Sequence, residues 1–574
     1  MLLLFYQKKL AGNISAALHA LHIAPLETET LMALMTRPPS AEKGDLSFPV
    51  FRLMPKGTSP AAFAQQLVHH LKTDEDFSKF EAAGPYVNVF FDANTYTKKI
   101  IENANHAPAV PGKEAPMVMV EYASPNTNKP LHVGHIRNIS LALSMIRLFE
   151  HSGKRVMKVQ VINDRGVHIC KSMLAYQKWG RETTPESEKM KPDHFVGKYY
   201  VLFTSEVEKN PALEEEAQAM LQKWESGDVN VRKLWRKMND WAEKGLFETY
   251  ATLGATFDKN YYESEFYSKG KEVVMKAFNE GKLEKAENGA IIVPLKKYNL
   301  QDKPVIRGDG TSLYFTQDIY LAVQRLNENP DLERIIHIVG NEQELHFRQL
   351  FATFDLMGIA DPKKFYHLGY GLLMLPSGKM SSRQGTVVNA DDLIEELIQL
   401  AKDEYDKRNP ELDEGEIARR SKVIALSALK FFMVKQDAKK ELIFDPKESL
   451  SFDGQTGPYL LYTTARILSI LRKSVHSLDV GKVGLLVTPL EKELLTLLSQ
   501  KDEMIASALA HYSPHILGHY LLNLANTFNT YYHETKIIQE DVSVEKARLA
   551  LVNAIRQTLE EGLYLLGVET LREM

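Results

Sequence analysis

Two short stretches carry the residue types that handle phosphate. The first lies within Val120–Asn138 (VEYASPNTNKPLHVGHIRN), where His132-Val133-Gly134-His135 form an HxGH signature. The second is Pro376–Gly385, a small polar stretch with two cations, Lys379 and Arg383, around Met380, Ser381 and Ser382. HVGH falls where an apolar strand passes through a loop into a helix. Free backbone N–H groups and the positive end of the helix dipole gather there, and both favour phosphate. Two histidines add hydrogen-bond donors, and Gly134 leaves room for a flat base against its backbone. Lys129, three residues before His132, adds a cation to the same loop.

The elements that must hold these loops follow from periodicity. Met117–Tyr122 reads as a buried strand, and Ile136, Leu141, Leu143, Ile146 and Leu148 recur at helical spacing. A second strand, Arg155–Ile162, ends in Asn163-Asp164, with a helix from about Arg165. Such alternation predicts a parallel sheet with crossover helices, whose ligands bind beyond the carboxyl ends of the strands. Residues 181–285, charged and helix-rich with Trp224, Trp235 and Trp241, read as an insertion between two halves of the sheet. Alternation then resumes: strand-like Ala290–Val293 and Val305–Arg307, helix Thr316–Leu326, strand Arg334–Val339, helix Glu342–Phe354 and strand Phe365–Leu375. The pattern sets four units. Residues 1–110 form a small α/β module closed by the Pro/Gly/Ala linker Ala107–Ala115, and 116–390 a split-sheet domain. Residues 391–447 form a helical connection and 448–574 a helical module with an apolar stripe of Leu521, Leu524, Phe528 and Tyr531 or Tyr532.

Composition narrows the class. The chain has 574 residues, 44% hydrophobic and 25% charged, with a net charge of −4. That excludes general nucleic-acid binding through bulk charge. The 448–574 module is itself acidic, with 11 Lys and Arg against 15 Asp and Glu, so charge alone does not predict RNA binding there. The sole cysteine, Cys170, rules out an intrachain disulfide and a cysteine-based zinc site, which suits a reducing cytoplasm. The N-terminal apolar patch precedes its charges, the reverse of a signal peptide. No apolar run approaches the ~18 residues of a membrane-spanning helix.

HVGH and KMSSR, each predicted to end a strand of one split sheet, resemble the paired signature loops of the class I aminoacyl-tRNA synthetases. Within that class the chain resembles the arginyl-tRNA synthetase family. VEYASPNTNKPLHVGHIRN, YFTQD, GNEQELH, KMSSRQG and TGPYLLYTTAR carry the likeness, with GDLSFP and GPYVNVFF in the N-terminal module. It implies a split Rossmann-type catalytic domain, a small α/β N-terminal domain that touches the outer corner of tRNA, and an all-helical anticodon-binding domain. The implied reaction is ATP-dependent ligation of L-arginine to tRNA(Arg) through arginyl-adenylate, with AMP and pyrophosphate released and activation requiring bound tRNA. Mg²⁺ would enter with ATP, with no structural metal, in a monomeric cytoplasmic enzyme without membrane association. An HxGH nucleotidyltransferase and a non-catalytic RNA-binding relative are the alternatives; the first needs neither KMSSR nor a helical C-terminal module, and the second needs no intact HVGH.

The resemblance assigns His132, Gly134, His135, Lys379, Met380, Ser381 and Ser382 to the nucleotide. It also exposes a departure: the family's KMSKS pattern has a second lysine where this chain has Ser382. Lys129 is expected to supply the missing charge, ahead of Arg383. Tyr314 and Asp318, four apart where a helix begins, are able to face one pocket; in the family such a pair holds the substrate guanidinium, a planar fork of donors suited to carboxylates. Glu121, Asn126, His132 and Gln343 are expected to complete the amino-acid site. Tyr459, Tyr462, Arg466, Asn526 and Asn529 are expected to meet tRNA, since loop bases are read by stacking and by hydrogen bonds to their edges.

Overall fold

The computed structural model describes residues 2–104, 111–374, 376, 388–408 and 412–573. Lys379, Met380, Ser381, Ser382 and Arg383 lie outside the described residues.

At the centre is a five-stranded, all-parallel sheet. Its order is Phe365–Tyr370, Leu332–Gly340, Met117–Glu121, Arg155–Ile162, Lys259–Tyr262. The central strand pairs with Arg155–Ile162 on one side and with Leu332–Gly340 on the other. The direction of winding therefore reverses between Met117–Glu121 and Leu332–Gly340, and a crevice opens there beyond the strand ends. Helix Val133–His151 packs on this sheet with most of its residues buried.

Three readings from periodicity are corrected. Lys259–Tyr262 lies inside the span read as an insertion, yet it pairs with Arg155–Ile162 as the edge strand of the parallel sheet. Its sequence, KNYY, is short and half polar, so neither alternation nor an apolar run marks it. The helical insertion proper comprises Pro192–Val207, Ala212–Glu225 and Val229–Leu253, and its core joins Phe195, Tyr199, Trp224 and Trp235 to the Val167–Trp179 helix. The strands near 290 and 305 do not join the parallel sheet. Ile291–Val293 and Lys303–Ile306 form a separate antiparallel sheet with Glu284–Lys285. Lastly, the strand expected over Phe365–Leu375 breaks at Gly371-Leu372; Leu373–Met374 pairs instead with Leu442–Ile443, beyond the connecting helices.

The N-terminal module packs helices Leu2–Ala20 and Pro60–His70 on a three-stranded antiparallel sheet. Tyr6, Phe63, Phe77, Val87 and Val89 are fully buried in its core. After the sheet domain, helices Ala390–Arg408 and Glu414–Val434 lead to the bundle of Gly457–Lys473, Pro489–Ser499, Lys501–Ala510, Pro514–Glu534 and Val542–Leu565. No helix among the described residues is long and apolar enough to cross a membrane.

Candidate active site and nucleic-acid interface

The chain leaves the central strand through two consecutive left-handed residues, Ala123 (φ 64°) and Ser124 (φ 44°). Non-glycine residues resist this region, and strain of this kind gathers at functional loops. It is held by three bonds: Ala123 N–H donates to Asn138 Oδ1 (2.6 Å), Ser124 N–H to Tyr122 O (2.9 Å), and Val161 N–H to Ser124 Oγ (3.1 Å).

His132 caps the following helix. Its Nδ1 accepts from Gly134 N–H (3.1 Å), while His135 Nδ1 accepts from His132 N–H (3.1 Å). Both rings thus spend Nδ1 as an acceptor, which places the ring proton on Nε2 in the neutral form. Burial, aided by the Lys129 charge, lowers His132 to about 4 and holds His135 well below the usual imidazole value. Two neutral Nε2–H donors result. Gly134 is required for a reason beyond base stacking: a Cβ there would stand 2.8 Å from His132 Cε1. Lys129 is half-buried, burial lowers its pKa, and among the described residues no ion pair or hydrogen bond engages its ammonium.

A cavity of about 480 Å³ occupies the crevice at the reversal point. Glu121, Asn126, Asp318 and Gln343 line it as expected. Tyr314 and His132 do not: Tyr314 is 71% exposed, so the Tyr314/Asp318 pair is not brought together in the pocket, and the His132 ring turns back to cap its helix. Glu121 is also differently employed. Its Oε2 already accepts from the buried Arg325 guanidinium and lies 3.1 Å from His337 Nδ1. Those partners hold its pKa far below the ordinary carboxylate range against the opposing effect of burial. Glu121 is matched within the protein, two helical turns of the Phe315–Glu328 helix carrying Arg325 inward from Asp318.

Glu263 was missed because its strand was missed; it opens the short helix just beyond Lys259–Tyr262. It lines the same cavity, its Oε1 has no hydrogen-bond partner, and Arg165 Nη1 stands 3.6 Å away. Burial first, then Asp164 and Asp318, raises its pKa to about 7 against the pull of Arg165. Asp318 accepts from, or pairs with, His346 Nε2 at 2.9 Å. With Glu121 neutralised by Arg325, Asp318 and Glu263 make the cavity a receptor for a cation with several donors.

The helical module brings all five of its expected residues together, although they lie far apart in sequence. Tyr459 OH donates to Asn526 Oδ1 (2.7 Å) and accepts from Asn529 Nδ2 (2.9 Å). Arg466 donates to Asn529 Oδ1 and lies over the rings of Tyr462 (4.7 Å) and Tyr532 (5.1 Å). The two adjacent tyrosines divide: Tyr531 is buried with its hydroxyl 3.2 Å from Glu491, and Tyr532 faces outward. A cavity of about 810 Å³ adjoins them, lined also by Arg420, Arg472, Lys473 and Lys536. A module acidic in sum therefore places Arg466, Arg472, Lys473 and Lys536 along one aromatic face, with Glu573 paired to Arg420 and Arg472 at its edge; cations beside exposed rings are the combination that holds single-stranded nucleic acid.

Three family models match the chain: "tRNA synthetases class I (R), catalytic domain" over residues 97–446, "DALR anticodon binding domain" over 460–574, and "Arginyl tRNA synthetase N terminal domain" over 8–91. Arginine--tRNA ligase of Treponema denticola is 41% identical, covering 94% of each chain. That of Porphyromonas gingivalis is 38% identical, covering 98% of each. Among solved structures, Thermus thermophilus arginyl-tRNA synthetase aligns with a TM-score of 0.78 at 26% identity, over 99% of this chain and 100% of that one.

Proposed function

The chain belongs to the arginyl-tRNA synthetase family and joins arginine to tRNA with ATP, and from that premise we propose how its residues divide the work. The observation that carries the reading is the cavity at the sheet's reversal point, lined by Asp318, beside His346, and by Glu263, whose Oε1 accepts no hydrogen bond and faces Arg165 at 3.6 Å.

The arginine guanidinium sits between Asp318 and Glu263, with Gln343 and Asn126 as further polar contacts. Tyr314 joins them after turning in from solvent. Glu121 acts at one remove, fixing Arg325 and His337 in the pocket wall. A lysine side chain offers a point charge where the pocket asks for a fork, and sites of this kind reject such analogues by roughly 10⁴–10⁵-fold.

The substrate carboxylate attacks the α-phosphate of ATP and pyrophosphate departs, so charge builds on phosphate oxygens. Positioned donors and cations are the main means of catalysing that step. His132 and His135 donate through Nε2–H, Lys129 supplies a desolvated cation, and Lys379 supplies that of the KMSSR loop. Lys129 stands in for the lysine absent at Ser382. Mg²⁺ accompanies the nucleotide and is held chiefly by its phosphates. The described three-ligand cluster, Asp193, His194 and Asp391, already has the Lys191 ammonium 3.2 Å from Asp193 and 2.8 Å from Asp391.

Units 1–110, 116–390, 391–447 and 448–574 serve tRNA-corner contact, catalysis, connection and anticodon binding. In the last, Tyr462, Arg466 and Tyr532 stack on loop bases, and the neighbouring cations take phosphates. The enzyme works as a cytoplasmic monomer. An aminoacylation assay across the twenty amino acids, with and without total tRNA, tests the reading. Charging with arginine alone is the expected result; formation of a CDP-linked product, or no charging at all, would count against it.

A further inference from the structure

Arg137, one turn into the HVGH helix, has a side chain with no exposed surface and, among the described residues, no carboxylate within ion-pair distance, Asp437 acting on it only at longer range. It is enclosed by backbone carbonyls from two other parts of the chain. Nη1 donates to Gly371 O (2.6 Å) and Leu372 O (3.4 Å). Nη2 donates to Ala438 O (2.9 Å), Lys440 O (2.8 Å) and Asp437 O (3.4 Å). Gly371-Leu372 is the break at which the chain leaves the parallel sheet shortly before the KMSSR stretch. Residues 437–440 leave helix Glu414–Val434 and lead, through Leu442–Ile443, into the RNA-facing bundle.

The two segments are also laced directly together. Gly371 N–H donates to Ala438 O (2.9 Å), Leu442 N–H to Leu372 O (2.9 Å) and Phe444 N–H to Met374 O (2.8 Å). Gly371 has to be glycine for this approach, since a Cβ would lie 2.5 Å from Lys440 O. On its other side, the HVGH helix is fixed to the sheet by Asn138, which donates from Nδ2 to Ile338 O (2.6 Å) and accepts from Ala123 N–H. A buried guanidinium whose hydrogen bonds go only to backbone carbonyls gains little stability from its charge. An apolar side chain of similar volume would not leave a charge to be solvated by dipoles. What the planar fork provides is simultaneous registration of three segments.

We propose that Arg137 is a positioning residue that couples the helical RNA-binding module to the catalytic centre. By this reading, which rests on the functional assignment above, docking of tRNA on the bundle fixes residues 437–440. Through the Arg137 fork this sets the chain entering the KMSSR stretch against the HVGH helix. Arg137 touches none of the three substrates, so its loss leaves binding constants intact and weakens the response of chemistry to RNA.

The experiment is ATP–pyrophosphate exchange with arginine, run with and without tRNA on the parent and on Arg137→Lys, which keeps the charge and loses the fork. The expected result is that tRNA raises kcat in the parent and that this response falls about tenfold in the variant, within the range of coupling between contacting sites. KM for arginine, ATP and tRNA should stay within about twofold. An unchanged response to tRNA in the variant, or no response in the parent, overturns the proposal. Absence of arginine-dependent exchange in the parent under both conditions would instead remove the functional assignment. Should Arg137→Lys not fold, hydrogen exchange on the unaltered protein decides: tRNA must slow exchange of the Gly371, Leu442 and Phe444 amides, and unchanged rates at all three refute the coupling.

Discussion

Arginine affinity should fall as pH drops through 7, and Glu263 should be the cause. In the free protein this carboxyl is buried, faces Asp164 and Asp318, and has its pKa raised to about 7. A guanidinium remains charged throughout the working range and favours the ionised carboxylate. If arginine binds only that form, apparent KM scales with the fraction ionised. The factor is about 1.1 at pH 8, 2 at pH 7 and 11 at pH 6, so KM should rise about tenfold from pH 8 to pH 6. The sign is fixed by linkage: the ligand pulls the carboxyl pKa down, so binding is full above 7 and weakens below it. At pH 7 the same linkage releases about half a proton per arginine bound. Calorimetric titration with arginine in two buffers of different ionisation enthalpy measures that proton, and exchange kinetics measure KM. Glu263→Gln should give a raised KM that no longer depends on pH between 6 and 8, separating Glu263 from His346 and other groups. A flat KM in the parent with no proton release would refute the placement of Glu263 against the guanidinium.

The same residue should trade stability for binding. A carboxyl raised from 4.5 to about 7 on folding weighs against the folded state once pH exceeds its unfolded value, most fully above 7. Glu263→Gln should therefore stabilise the ligand-free protein by about 1–3 kcal/mol at pH 8, with the gain shrinking as pH falls below 7 and gone by about pH 4, as read by denaturant unfolding. Lys129→Ala should lower the rate of pyrophosphate exchange by about 100-fold with arginine KM little changed, since one donor at developing charge is worth this much; exchange equal to the parent would return Lys129 to an ordinary loop lysine. Asp318→Ala should raise arginine KM by at least about tenfold, the worth of a charge-assisted hydrogen bond. Arg466→Ala, which removes the cation lying over both Tyr462 and Tyr532, should raise tRNA KM about 5–100-fold in aminoacylation assays and spare arginine KM.

Local chemistry was legible in the sequence. HVGH follows an apolar run and precedes a helical pattern, so its capped turn needed no tertiary information. The same holds for the strand at Arg155–Ile162 and the helices near 316 and 344, whose periods are set by one buried face. The five residues Tyr459, Tyr462, Arg466, Asn526 and Asn529 were named from motif and stripe, but their convergence is a property of two helices packed side by side. Lys259–Tyr262 stayed hidden because an edge strand of four residues buries too little to impose a pattern, and Glu263 was hidden with it. In the helical module a net count over 448–574 does not show that Arg466, Arg472, Lys473 and Lys536 line one cavity, because a sum carries no position.

By itself, the sequence determined which residues carry donors and charge and which stretches become strands or helices, because these depend on residue type and short-range spacing. Tertiary structure alone decided how those groups are spent. Packing of the Phe315–Glu328 helix on the sheet matched Glu121 with Arg325 and set Asp318 and Glu263 in the same cavity wall. Burial raised the pKa of Glu263 and kept His132 neutral. Chain crossing brought five carbonyls onto Arg137. Desolvation and long-range contact set each of these, and neither has a signature in a linear sequence.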